Sequence, residues 1–444
     1  MAARYQSARQ VLCWTGRRAC HVLVMRGDRA GMRILIAHNR YRSGTPSGEN
    51  RVVDQESDAL AALGHDIIRF ERSSDEIGQW PTPKKALLPA QMIWSRQTYR
   101  DLAAALREHR PEVVHVHNTL PLLSASVLHA CRDEQVPVVA TLHNYRLACP
   151  SGTFFRNGAV CHDCVQGLPA RSVLHGCYRG SHLATVPLAA AMSLNRPAWR
   201  SLVSAYIFIS ASQRDLLQVL DLAPERVFVR HNLIPRLSRL QAVRTPTVVY
   251  AGRLDEVKGM RLLMDAWDRY REKCGEPGLN LVIAGGGALS DAVAAWASTR
   301  PSVEMKGTVS RDECAELVSR ARAVVLPAAW EEPFGLIVVE AMAAGVPPIG
   351  AGHGSLTELI TPGVDGALFN PGDPAALALA IADVEANPER YEAYGEQARK
   401  NYEERFDPER SVADLLGIYR FAIAHPVRPL PPVLTGRTRG RRRN

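Results

Sequence analysis

The stretch EEPFGLIVVEAMAAG, residues 331–345, sets two carboxylates, Glu332 and Glu340, eight positions apart in an otherwise apolar run. A carboxylate in such surroundings is costly unless a cation or hydrogen-bond donors answer it. Ionised carboxylates are acceptors only, and each can take two hydroxyls side by side, which is what neighbouring sugar hydroxyls offer. The run PFGLIVVEAMAAG is apolar on nearly every side and reads as a buried helix that opens after Pro333 and closes at Gly345. Its N-terminus would present free N–H groups and partial positive charge, a place for a phosphate. Glu340 then lies about two turns beyond Glu332 on roughly the same side. The same residues also allow Glu332 to be a charge at the helix N-terminus and Glu340 to be half of a core ion pair.

AGRLDEVKG, residues 251–259, adds the opposite charge. A glycine turn at Gly252 puts Arg253 at the carboxyl end of a strand, with Lys258 close behind. Two cations flanking a loop suit a diphosphate, the arginine as a fork and the lysine as a point charge. AGGG, residues 284–287, follows another apolar run and lets backbone approach a ligand closely. It is the order of these motifs within one unit that carries information.

Strands and helices must position these residues. From Met32, short apolar runs (RILIAH, HDIIRF, PEVVHVHN, PVVATLHN, AYIFIS) alternate with amphipathic ones such as GENRVVDQESDALAALG. The pattern stops in the irregular, basic passage 230–246 and restarts with TVVYAGR, NLVIAGGG, SVEMKG and ARAVVLPA. Alternation of this kind predicts α/β units with parallel sheets covered on both faces. Two such units make a cleft at the carboxyl ends of their strands. The expected plan is residues 1–31 as a disordered or over-long start and 32–235 as an N-terminal domain with a cysteine-rich insert at 145–182. A C-terminal domain at 236–405, a closing helix at 406–425 packing back toward the N-terminal domain, and a basic disordered tail at 426–444 complete it.

The ordered set GRLDEVKG, AGGG and EEPFGLIVVEAMAAGVPPIG resembles glycosyltransferase family 4, retaining nucleotide-sugar transferases built from two facing Rossmann-like domains (the GT-B fold). The resemblance covers roughly residues 32–425 and is most specific in the C-terminal half. It implies that Glu332 meets hydroxyls of the donor sugar and that Glu340 holds the ribose. Arg253 and Lys258 would neutralise the diphosphate beside Gly252. Backbone around Phe334, Gly335, Leu336 and Ile337 would cap it. The base would lie by KGTVSR, which contains Gly307. In the N-terminal half, His143 of ATLHNY matches the family's active-site histidine and Gly48 of GTPSGEN its glycine loop, with Ser47-Gly48 where the family often shows two glycines. The mechanism implied is transfer with retention and no catalytic metal. The helix N-terminus and both cations stabilise the departing diphosphate, and the phosphate itself takes the acceptor's proton. Double displacement through Glu332 is the standard rival for retaining enzymes.

Four of the nine cysteines, Cys149, Cys161, Cys164 and Cys177, fall in the insert as Cys-x11-Cys-x2-Cys-x12-Cys. Four thiols at these distances suit tetrahedral zinc. A metal would explain how a segment with few strand or helix signals folds. His162 and His175 are spare ligand candidates, and a pair of disulfides or four unrelated thiols are the alternatives. The zinc is expected to be structural, since four thiolates leave no open position, and the insert is expected to overhang the acceptor side of the cleft.

Charge narrows the partners. The net charge of +9 resides in the two ends: residues 1–31 hold six Arg and one Asp, residues 435–444 hold five Arg, and the body between is left near −1. That body has no basic excess for nucleic acid. No run of 18 apolar residues exists to span a membrane, the best stretch, LATVPLAAAMSLN, being short and containing a proline. The expected location is the cytoplasm, with a peripheral contact at the inner membrane face hinted by Arg96, Arg100, Arg107 and Arg110. The leading expectation is a hexosyltransferase using a UDP- or GDP-sugar and a glycan, lipid-linked glycan or small-molecule acceptor. Its rivals are an inactive transferase-fold protein that holds zinc and binds partners, and a nucleotide-sugar epimerase. The intact Arg253, Lys258, Glu332 and Glu340 speak against the former, and the ordered motif pair against the latter.

Overall fold

The computed structural model describes residues 11–15, 18–22, 31–44, 47–165, 169–236, 243–275 and 278–427. Within the first 31 residues, Val11–Thr15 and Arg18–Val22 pair as an antiparallel ribbon. The rest of the expected disordered start up to residue 30, and the basic tail from residue 428, lie outside the described residues.

Two parallel six-stranded sheets form the body. The first holds β1 (Arg33–Arg40), β2 (Asp66–Ser73), β3 (Val113–Val116), β4 (Val138–Leu142), β5 (Ala205–Phe208) and β6 (Val227–Val229), in the spatial order β6-β5-β4-β3-β1-β2. The second holds β7 (Thr247–Ala251), β8 (Asn280–Ala284), β9 (Val303–Gly307), β10 (Ala323–Leu326), β11 (Pro348–Ala351) and β12 (Ala367–Phe369), ordered β9-β8-β7-β10-β11-β12. Central strands such as VVHV, VVATL and AVVL are buried at every position. Sheets with both faces covered require this, and it is why these runs are continuously apolar rather than alternating. Strand order reverses between β1 and β3 in one sheet and between β7 and β10 in the other, which opens a crevice at those carboxyl ends.

Six helices matter for the site: α1 (Gly48–Ala62), α2 (Leu88–Ile93), α3 (His182–Leu202), α4 (Met260–Cys274), α5 (Leu336–Ala343) and α6 (Pro408–Ala424). Ser47 caps α1 by accepting from the Asn50 N–H at 3.2 Å. The last helix, α6, packs on the first sheet, where Val412, Leu415 and Tyr419 join Ile34, Ile36, Val139 and Ile207 in one buried cluster. The insert carries only a small ribbon (Phe155–Arg156 with Ala159–Val160) and a five-residue helix, Ala170–Leu174. LATVPLAAAMSLN, read as too short to span a membrane, belongs to the 21-residue α3, which accommodates Pro187 and Pro197.

A buried polar network ties α6 to this domain. Arg230 pairs with Glu56 at 2.5 Å, both almost fully buried, and its other nitrogens donate to the Ser411 carbonyl and hydroxyl of α6. Glu56, His115 and His117 are the one group of metal-type ligand atoms within 4.8 Å among the described residues. Arg230 already supplies the positive charge there, and both His115 nitrogens are taken, by Tyr419 and Thr141. The group is thus a packed polar core. Removing one partner of such a pair strands a buried charge. Arg230→Ala is therefore expected to cost roughly 3–5 kcal/mol in urea unfolding, partly recovered by adding Glu56→Gln. A loss under about 1 kcal/mol, the range of an exposed pair, would show that the network does not hold α6.

Candidate active site

Glycine contacts bring the C-terminal loops together. Gly252 donates to the Ala284 carbonyl at 3.0 Å, and a Cβ on Gly285 (φ +145°) would stand 1.8 Å from the Gly252 carbonyl oxygen. Only glycine allows the AGGG turn to press on the turn that carries Arg253. Gly307 closes β9 at φ +68° and accepts from the Gly285 N–H at 2.7 Å.

Lys258 and Glu332 meet directly. Glu332 Oε2 lies 2.5 Å from Lys258 Nζ and accepts from Trp330 Nε1 at 2.9 Å, while the lysine sits 5.2 Å from the centre of the Trp330 ring. Asp255 accepts from the Lys258 N–H at 3.0 Å and pairs with Arg253 at 3.2 Å. Helix α5 begins at Leu336, with Gly335 capping it at φ +85°, so Glu332 lies in the loop before the helix and only Glu340 lies within it. Glu332 thus precedes the helix as expected, and what is corrected is the helix start, which lies at Leu336 rather than directly after Pro333 because Gly335 sits in the left-handed region. Leu336 and Ile337 offer the first, unpaired N–H groups of α5. The Phe334 ring is used in packing against His231 at 5.6 Å.

Glu340 has a protein partner from the other domain. Arg51 Nη2 of α1 lies 2.7 Å from Glu340 Oε1. Burial raises the Glu340 pKa above the usual carboxylate range, and Arg51 and Arg311 oppose that rise. Gly48, one turn before Arg51, faces Leu336: a Cβ there would meet Leu336 Cδ1 at 2.7 Å. The first turn of α1 is thus seated against the first turn of α5.

His143 follows β4, with Nε2 2.9 Å from His117 Nδ1 and the two rings stacked. Burial, with help from His38 and Arg230, lowers its pKa to about 3, so its imidazole is neutral at physiological pH. A cavity next to it is lined by Glu49, Asn144, Arg146 and Trp199. Glu49 accepts from the Tyr41 hydroxyl at 3.1 Å, and its pKa is pushed up to about 7 by burial, against the pull of Arg146.

The insert reaches across to the C-terminal domain. The Tyr145 hydroxyl donates to the Glu331 carbonyl at 2.8 Å, and His162 Nε2 lies 2.6 Å from the Glu331 carboxylate. His162 is therefore engaged across the cleft, and His175 lies near Asp163 (3.7 Å) and Arg156 (3.5 Å). Cys164 is raised to about 11 by burial and then by Cys149, Cys177 and Cys161, which places the four thiols in one neighbourhood. No three of their sulfurs lie within 4.8 Å of one another.

Sequence reasoning missed Arg51, Glu49, Tyr145 and Glu331. Arg51 stands three residues after Gly48 on α1, and that offset was the available signal.

Comparison with known proteins agrees with this geometry. Residues 46–236 match the model described as Glycosyltransferase Family 4, and residues 238–401 match Glycosyl transferases group 1. The chain is 28% identical over 417 residues to a glycogen synthase of Mycobacterium tuberculosis, covering 85% of this chain and 91% of that protein. It is 24% identical over 402 residues to O-antigen chain mannosyltransferase C of Escherichia coli, covering 87% and 98%. Anabaena HepE in complex with UDP-glucose superposes with a TM-score of 0.58 at 19% identity, over 87% of this chain and 99% of that one. Sucrose-phosphate synthase of Thermosynechococcus elongatus does so with a TM-score of 0.63 at 19% identity, over 88% and 99%. With two facing doubly wound domains and both halves matched, the chain is a GT-B glycosyltransferase and belongs to glycosyltransferase family 4.

Proposed function

We propose that the protein transfers a hexose, with retention, from a UDP- or GDP-sugar to an acceptor hydroxyl on a glycan or lipid-linked glycan. The observation that carries this reading is the convergence of Arg253, Lys258, Glu332 and the α5 N-terminus at one crevice, with Glu340 a short way along α5. A diphosphate there would meet two cations and free N–H groups, all suited to charge that grows as the leaving group departs. The bond from the anomeric carbon to the diphosphate breaks, and the acceptor oxygen bonds to that carbon on the same face. The acceptor proton passes to the departing phosphate oxygen. Glu332, held through Oε2 by Lys258 and Trp330, orients sugar hydroxyls. That engagement argues against Glu332 as a nucleophile. His143, neutral and held by His117, offers a hydrogen bond rather than a charge.

The relatives support this reading by name, as a glycogen synthase and a mannosyltransferase, and a structural neighbour holds UDP-glucose. No helix among the described residues is long and apolar enough to cross a membrane. We place the enzyme in the cytoplasm, at the inner membrane face, with no metal in the reaction itself. Cys149, Cys161, Cys164 and Cys177 would hold a structural zinc. The donor set of four thiols fits that ion. Zinc binding would draw the four sulfurs together and brace the insert that reaches Glu331.

Calorimetric titration with UDP, GDP and ADP should show micromolar binding of one nucleotide, lost in Glu340→Ala and kept in Arg51→Ala. A folded protein that binds none of them would overturn the donor site. Metal analysis should find one zinc per chain, lost in Cys161→Ser together with several degrees of melting temperature. A metal-free protein indifferent to chelator would show the thiols to be packing residues. Glu49 provides a pH test. Its folded pKa of about 7 exceeds the usual 4.5, so the folded state retains a proton that the unfolded chain releases. Stability is lost as pH rises from 4.5 toward 7 and then levels. The melting temperature of Glu49→Gln relative to the parent should climb over that interval; parallel curves would mean that Glu49 titrates normally.

A further inference from the structure

Helix α3 has two distinct sides. Met192, Asn195, Arg196 and Trp199, with Met92 of α2, wall the cavity of about 840 Å³ (counting the solvent in its mouth) that runs to His143. The opposite side carries Leu183, Val186, Ala190, Leu194 and Pro197, spaced three or four apart and aligned on one face. Leu183, Val186 and Leu194 are 85, 46 and 66% exposed. No charged residue interrupts this face. Its two serines, Ser193 and Ser201, turn their hydroxyls back onto the carbonyls of Ala189 and Pro197 at 2.9 and 2.7 Å. The helix thus shows an apolar strip roughly 21 Å long. Leu87 and Trp94, at either end of α2, and Leu174, just before α3, are exposed as well. A soluble surface rarely leaves an apolar strip of this kind open without a partner.

The charge around the strip identifies the partner. Residues 77–100 and 164–214, which include α2 and α3, contain nine Lys or Arg and no Asp or Glu, and of these Arg200 and Arg214 are paired with Asp221 and Asp215 just outside. Lys85, Arg171 and Arg179 are exposed. Pairing this face with a second copy of itself would oppose like charges, whereas an anionic bilayer answers the apolar strip and the cations together. No described helix is long and apolar enough to cross a membrane, so α3 would lie along the surface.

We propose that the outer face of α3, with Leu87, Trp94 and Leu174, docks the protein on an anionic phospholipid bilayer. The cavity wall then lies within one helix diameter, about 10 Å, of the headgroups. An acceptor anchored in that bilayer is within reach of His143, a point that rests on the transferase reading.

The test is co-sedimentation of the full chain with phosphatidylcholine vesicles, with and without phosphatidylglycerol, at low and high salt. Binding should require phosphatidylglycerol and be released by salt. Leu183→Ser with Leu194→Ser should lower binding by roughly tenfold or more per leucine, from the transfer energy of a leucine side chain. Lys85→Glu with Arg171→Glu should lower it independently. Both double variants should melt like the parent and bind nucleotide like the parent, so a failure here is distinct from a failure of the donor site. Equal binding to both vesicle types, or leucine variants that bind like the parent, would overturn the proposal. So would a parent dimer that the leucine variant converts to monomer without any vesicle binding, which would make the face a contact between copies.

Discussion

Three carboxylates that the fold removes from solvent govern this structure, and each is answered by a cation from a distant part of the chain. Glu56 has Arg230, Glu332 has Lys258, and Glu340 has Arg51. An unpaired carboxylate at any of these places would be expensive, so the pairings act as requirements on the fold rather than as additions to it. The first joins α1 to the segment after β6 and, through Ser411, to α6. The second organises the C-terminal crevice. The third spans the two domains and sets the first turn of α1 against α5.

The remaining geometry follows from making room for those charges. The glycine turns after β7 and β8 press backbone against backbone, which frees side-chain space for Arg253 and Lys258. Gly335 in the left-handed region releases the chain from the Glu332 loop directly into α5. The insert then closes over the same loop from the opposite domain, through Tyr145 and His162 on Glu331. One short loop, residues 330–335, therefore receives contacts from both sides of the cleft.

Much of this was legible before any coordinates. Fully buried parallel strands are continuous apolar runs, so VVATL, NLVIA and AVVL announce themselves, and the glycine turns after them locate the crevice. The spacing of Glu332 and Glu340 was legible as a motif, with one before the helix and one within it, but the exact start was not, because a single left-handed glycine decides where the helix begins. Arg51 was missed for a different reason: its one local mark is its offset of three residues from Gly48, and its partner, Glu340, lies in the other domain. The outer face of α3 was hidden by its own prolines, which interrupt a hydropathy reading without ending the helix. The cysteine spacing was plain, yet spacing says which thiols are neighbours and not how closely their sulfurs approach.

The placement of α6 has a consequence for biosynthesis. The first sheet is made early, but one of its faces is covered by Val412, Leu415 and Tyr419, which are translated only after every strand of the second sheet. While the C-terminal domain is being synthesised, Ile34, Ile36, Val139 and Ile207 wait without their cover. The order of folding is thereby inverted relative to the usual expectation that an N-terminal domain finishes first. The C-terminal domain can complete itself as it emerges, and the N-terminal domain is finished only when α6 returns to it. A ribosome that stalls after the second sheet would release half an enzyme with the wrong half complete.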